Sequence, residues 1–119
     1  MIVGKTFHFD AAHRLPNYSG KCRYMHGHTW KVTVELEGEI DKETHMVIDF
    51  NEVKVVMEGI FHPLDHQILN DVISYPTCER VVEHIFARLK DYFSFAIEIK
   101  VHSVQVQEGE GGYARKERD

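Results

Sequence analysis

From residue 26 the chain reads His26-Gly27-His28-Thr29-Trp30-Lys31-Val32-Thr33-Val34-Glu35-Leu36-Glu37. The even positions His26, His28, Trp30, Val32, Val34 and Leu36 share one side of an extended backbone. Lys31, Thr33, Glu35 and Glu37 share the other. A period of two is the mark of a β-strand with one face buried. Upstream, Phe7, Phe9, Ala11 and His13 repeat the pattern, and Pro16-Asn17-Tyr18-Ser19-Gly20 supplies a turn-rich connection between the two strands.

Downstream the period changes. Asp49 with Glu52 reads as a near capping box, and Phe50, Val53, Met57, Ile60 and Phe61 follow at helical spacing until Pro63. A second helix starts at Thr77 after Pro76, with Val81, Val82, Ile85, Phe86 and Leu89 as its apolar stripe. Alternation returns at Phe95, Ile97, Ile99 and Val101, which predicts a third strand. Val104, Val106 and Glu108 predict a fourth. Glu108-Gly109-Glu110-Gly111-Gly112 reads as a flexible turn, and Arg115 to Asp119 as a solvated tail. The expectation is one α+β domain over residues 1–119: a four-stranded antiparallel sheet with two helices on one face. Such a sheet has two open edges, which favours assembly.

Fourteen basic against nineteen acidic residues leave a net charge of −5, which is not the footprint of a nucleic-acid binder. No apolar run approaches the ~18–20 residues of a membrane span. The start, Met1-Ile2-Val3-Gly4-Lys5, has no signal-peptide architecture, so the cytoplasm is the expected compartment, with Cys22 and Cys78 as free thiols.

Nine histidines are many for 119 residues. His26 and His28, at i and i+2 on a strand, point the same way, and His13 ends the neighbouring strand. Three neutral imidazoles suit Zn²⁺ and leave a fourth position open, the pattern of a catalytic site. Cys22, shortly before, reads either as a small buried residue or as a thiolate base beside the metal, with fourth-ligand duty also open. Asp65-His66 pairs a carboxylate with an imidazole, as a proton relay would. Glu108, on the face of Val104 and Val106, offers two oxygens to a ligand edge with adjacent N–H groups, as pterins and guanines have. Glu110 has the same parity and competes with it. His8, His45, His62, His84 and His102 read as surface or boundary residues.

Phe9-Asp10-Ala11-Ala12-His13-Arg14-Leu15 followed by Cys22-x-x-x-His26-Gly27-His28 resembles the 6-pyruvoyl-tetrahydropterin synthase superfamily. Met46-Val47-Ile48-Asp49-Phe50, Leu64-Asp65-His66-Gln67-Ile68-Leu69-Asn70, Pro76-Thr77-Cys78-Glu79 and Val106-Gln107-Glu108 follow in the matching order. The three-residue gap between Cys22 and His26 is similar to that of the 6-carboxytetrahydropterin synthases of the queuosine and archaeosine pathway. Met25 before His26 is unlike the branch serving folate synthesis.

The resemblance implies a tunnelling fold assembled as a homohexamer, a dimer of trimers, with sites between subunits and Glu108 serving a neighbour. It implies Zn²⁺ on His13, His26 and His28, and Cys22 as proton acceptor. Asp65 and His66 would be the relay and Glu108 the pterin anchor, with Thr77 and Cys78 lining the pterin pocket. Cys78 stands where the family usually has a hydroxyl residue. The implied activity is a zinc lyase that converts 7,8-dihydroneopterin triphosphate to 6-carboxy-5,6,7,8-tetrahydropterin, acetaldehyde and triphosphate. Arg14, Lys21 and Arg23 are candidates for steering the triphosphate. Three alternatives stand beside this activity: a 6-pyruvoyl-tetrahydropterin synthase that stops after triphosphate elimination, a non-catalytic zinc- or pterin-binding module, and a purely structural sheet protein whose histidines hold nothing.

Overall fold

The computed structural model describes residues 1–119. Two long strands, β1 (Ile2–His13) and β2 (His26–Glu37), form an antiparallel pair along their whole length. Helix α1 (Phe50–Phe61) follows, then a two-residue strand β3 (Gln67–Ile68), helix α2 (Cys78–Tyr92), β4 (Lys100–Glu108) and β5 (Tyr113–Glu117). The sheet order is β3-β1-β2-β4-β5. Every pairing is antiparallel except the short parallel contact of β3 with β1.

The period-two pattern becomes the burial pattern. Phe9 and Ala11 of β1, then Trp30, Val32, Val34 and Leu36 of β2, are buried, and Val101, Val104 and Val106 of β4 extend the layer. Helices α1 and α2 cover this face with Val53, Val56, Met57 and Phe61, and with Val81, Val82, Ile85, Phe86 and Leu89. Each such side chain taken from water is worth about 1.5–3 kcal/mol, so the shared face holds the layers together. Phe50, read as part of the α1 stripe, is exposed, and Val56 takes a buried place instead.

Both helix starts are capped as their sequences predict. The Asp49 carboxylate accepts from Asn51 N, and the Thr77 hydroxyl accepts from Arg80 N at 3.2 Å. α1 closes at Phe61, with His62 as its C-cap just before Pro63.

The sheet departs from the four-strand expectation in three places. The short β3, Gln67–Ile68, is an added strand beside β1. Phe95 and Ile97 do not form a strand; they lie in a 3₁₀ turn and the loop after it, 94% and 90% exposed. The third long strand is Lys100–Glu108, which takes in Val101 of the predicted third strand and all of the predicted fourth, with a register shift against β2 at Glu35/Leu36. The residues read as a solvated tail supply part of β5. There Arg115 pairs with Glu35 at 2.9 Å and also with Glu117, and Arg118 just beyond pairs with Glu37 at 2.9 Å. Cross-strand ion pairs hold this edge where apolar alternation is missing.

Candidate metal centre and relay pair

His13 is the last residue of β1 and His26 the first of β2, and the two are register partners. His28 lies two residues along, on the same face. The three rings meet with centroids 4.6 Å (His13–His26), 5.3 Å (His13–His28) and 4.8 Å (His26–His28) apart. Trp30, fully buried, floors the cluster edge-on to His13 and His28 and stacks on Phe9. Its indole N–H donates to the Ala11 carbonyl at 3.2 Å.

Second contacts orient the rings. His13 Nδ1 lies 2.8 Å from the Pro76 carbonyl oxygen, and His26 Nδ1 lies 2.8 Å from that of Tyr24. A carbonyl only accepts, so each Nδ1 carries the proton and each Nε2 keeps a lone pair. His13 Nε2 and His28 Nε2 are buried without a hydrogen-bond partner. Orphaned buried nitrogens call for an explanation, and a cation on convergent lone pairs supplies one.

Glu108 enters from β4, opposite Trp30 in register. Its Oε1 lies 3.0 Å from His28 Nε2 and 3.9 Å from His13 Nε2, close in distance but without hydrogen-bond alignment. The donor atoms of His13, His26, His28 and Glu108 all fall within 4.8 Å of one another. Burial, the dominant cause, holds the His28 imidazole below its ordinary value; Glu108 opposes this, and His13 and His26 add to it. His28 therefore favours the neutral form that a metal requires. The donor set fits Zn²⁺.

The Glu108 carboxylate stands beside the histidines of its own chain. Gly109 follows at φ +56°, and a Cβ there would stand 3.5 Å from His28 Nδ1. Glycine is the residue suited to that turn. Glu110 is exposed on the turn and stands outside the cluster.

The other predicted residues lie around this centre. Cys22 is half-buried in the 3₁₀ turn Lys21–Arg23, and its thiol is not among the converging donors. Its carbonyl accepts from Leu15 N at 2.7 Å. Asn70 braces the same loop, accepting from Arg14 N at 3.0 Å and donating to Arg14 O at 2.9 Å. Asp65 and His66 sit at the β1 edge, with His66 Nδ1 3.0 Å from Asp65 Oδ2. Asp10 N donates to Asp65 Oδ1 at 2.9 Å. That backbone bond, first among the causes, holds the Asp65 carboxyl below its usual range. This pair does not join the histidine cluster. The Thr77 hydroxyl is taken up by capping α2. The Cys78 thiol donates to the Val106 carbonyl at 3.1 Å, and burial pushes it up to about 11.

Sequence reasoning missed the carbonyls of Pro76 and Tyr24, because backbone acceptors leave no residue-type signal. It also missed Asp10, whose carboxylate groups with Asp65 and His66. A groove of about 1330 Å³ runs between α2 and the β4–β5 end and contains none of these residues.

A sheet with two helices on one face and imidazoles converging at one end of its first hairpin defines a tunnelling-fold protein with a metal-type centre. Residues 2–119 match the family described as 6-pyruvoyl tetrahydropterin synthase, and the chain belongs to that family. A protein of Archaeoglobus fulgidus is 36% identical over 118 residues, 99% of this chain and 96% of that one. A 6-carboxy-5,6,7,8-tetrahydropterin synthase of Synechocystis sp. is 39% identical over 114 residues, covering 90% of this chain and 85% of the relative. The solved structure of Caenorhabditis elegans 6-pyruvoyl tetrahydropterin synthase superposes with a TM-score of 0.88 at 25% identity, covering 100% of this chain and 96% of that one.

Proposed function

We propose that this protein is a zinc-dependent lyase that converts 7,8-dihydroneopterin triphosphate and water to 6-carboxy-5,6,7,8-tetrahydropterin, acetaldehyde and triphosphate. The pathway would be 7-deazaguanine biosynthesis, leading to queuosine or archaeosine, in the cytoplasm. The observation that carries the reading is the convergence of the His13, His26 and His28 imidazoles, with two buried Nε2 atoms left unpartnered. The Synechocystis relative, a 6-carboxy-5,6,7,8-tetrahydropterin synthase by name, supports the choice of product.

His13, His26 and His28 would hold Zn²⁺. When bound, the metal supplies Lewis-acid polarisation of the substrate side-chain hydroxyls. The remaining steps fall to side chains of the protein. Cys22, as thiolate, takes a carbon-bound proton. His66 carries protons on the other side of the substrate, with Asp65 orienting its ring. Glu108 accepts from two adjacent ring N–H groups and so fixes the pterin edge. Thr77 and Cys78 bound the pterin pocket, Cys78 through its backbone because its thiol is engaged.

The relay pair and the histidine cluster are separate groups within one chain, which favours a site completed by a second subunit. The sheet is open at both ends to such pairing. β5 is an edge strand, and β3 covers β1 only at Ala11 and Ala12. Three chains joined edge to edge, and two such rings stacked, would make the hexamer of the fold.

The fold likeness to a 6-pyruvoyl tetrahydropterin synthase favours a second reading, in which the reaction stops once triphosphate has left. Incubation of the zinc-loaded protein with 7,8-dihydroneopterin triphosphate separates the two. Stoichiometric acetaldehyde with the 6-carboxy product supports the first reading, and the 6-pyruvoyl product without acetaldehyde supports the second. No conversion at full zinc occupancy would leave a binding module.

A further inference from the structure

We propose that Asp10 is a positioning residue for the Asp65–His66 pair and that Thr29 holds Asp10 in this role; the inference rests on the reading above, in which that pair moves protons. Asp10 grips both members through its backbone. Its N–H donates to Asp65 Oδ1 at 2.9 Å, and its carbonyl accepts from His66 N–H at 2.6 Å. His66 sits at φ +58°, a conformation uncommon for a residue with a Cβ. The grip of Asp10 therefore helps to define where the imidazole stands.

The Asp10 side chain adds what a backbone clamp lacks. Its Oδ1 accepts from the Thr29 hydroxyl at 2.5 Å. Oxygen atoms of the Asp10 and Asp65 carboxylates and a His66 nitrogen lie within 4.8 Å of one another. Two carboxylates this close repel each other, so packing alone gives no reason for the second. The same strand pair shows the neutral solution a few residues away, where the Thr6 and Thr33 hydroxyls bond across the strands at 3.0 Å.

Thr29 links this arrangement to the other group. It is the register partner of Asp10, and its carbonyl accepts from Gly109 N at 3.1 Å, just after Glu108. One cross-strand pair thus joins the relay pair to the turn that carries Glu108.

The test compares zinc-loaded Asp10→Thr, which copies the Thr6–Thr33 pairing, with Thr29→Val and Thr29→Ser. Small misplacement of a proton-transfer group lowers turnover, so Asp10→Thr and Thr29→Val should each lose about tenfold or more in kcat, with KM within about twofold. Thr29→Ser keeps the hydroxyl and should recover most of the loss. The imidazole ¹⁵N resonances of His66 should move in Asp10→Thr and Thr29→Val. Unmoved His66 resonances in both would overturn the proposal, as would a loss confined to KM, wild-type kcat in Asp10→Thr, or equal damage from Thr29→Ser and Thr29→Val. Should Asp10→Thr fail to fold, the Thr29 pair decides. If the wild-type protein does not convert the pterin substrate, the functional reading falls, while the His66 resonances still judge the placement by Asp10.

Discussion

Glu108 Oε1 stands 3.0 Å from His28 Nε2, yet the two make no aligned hydrogen bond. The carboxylate is thus beside the metal-type centre without being consumed by it. In the proposed function its two oxygens meet the pterin edge, and Gln offers only one acceptor there. Glu108→Gln should weaken substrate binding by roughly tenfold to a hundredfold, through a donor left unpaired at ~1–3 kcal/mol. Turnover should fall and zinc should stay. Glu110→Gln, on the exposed turn, should do far less. The reverse ranking in steady-state kinetics would move the anchor by one pleat, and loss of zinc from Glu108→Gln would make Glu108 a ligand.

Zinc content tests the imidazoles directly. The protein should carry about one ion per chain, since three neutral nitrogens with an open position form a complete catalytic set. His26→Ala should lose it, as measured by elemental analysis after dialysis. Full retention would remove His26 from the ligand set.

Trp30 gives an optical readout. It is the single tryptophan, and its ring lies 5.0 Å from that of His13 and 5.6 Å from that of His28. Titration of zinc into chelated protein should change its fluorescence and saturate near one equivalent, because the rings on its face change charge environment on ligation. A flat response during demonstrated zinc uptake would place the metal elsewhere.

The two thiols should differ. Cys78, pushed up to about 11, is bonded to the Val106 carbonyl. At pH 8 only about one Cys78 in a thousand would be a thiolate, so native protein should show a single fast-alkylating thiol. Cys22→Ala should remove it, keep zinc and abolish turnover. Cys78→Ala should change activity little. Fast labelling that survives in Cys22→Ala would contradict this assignment.

Acid should destabilise the fold through His84. The residue lies on α2 at the helix seam, among Val56, Ile60, Val72 and Arg88. Burial first, then the Arg88 charge, hold its imidazole below the ordinary 6.5. The unfolded chain then takes up the proton more readily than the folded one. Stability is present above 6.5 and is lost as pH falls through the folded value. One such proton changes stability by at most about 1.4 kcal/mol per pH unit. Urea midpoints measured at pH 7 and 5.5 should drop less for His84→Gln than for the wild type. Equal drops would assign the acid sensitivity to other groups.

Much of the architecture was readable because burial and periodicity coincide. The alternation at Phe7–His13 and His26–Leu36 predicted both faces of the β1–β2 pair, and Asp49 and Thr77 announced the helix starts. The same rule misled at Phe95 and Ile97. Alternation there is not used, since the chain is still turning out of α2. It failed for β5 because an edge strand held by Arg115 and its carboxylate partners looks like a solvated tail. In the site, the three histidines were legible from spacing and residue type. The Pro76 and Tyr24 carbonyls that orient two of them were not, and neither was Asp10, whose clamp on Asp65 and His66 is made largely by backbone.

The bond from His13 to Pro76 spans 63 positions of chain. During synthesis from the N-terminus, the three imidazoles leave the ribosome long before the carbonyl that fixes the first of them, and longer still before Glu108. A nascent chain stopped short of α2 already holds the Tyr24 carbonyl that orients His26, while His13 still lacks its acceptor. The His13 ring is held in one orientation only once the segment entering α2 closes over the end of β1.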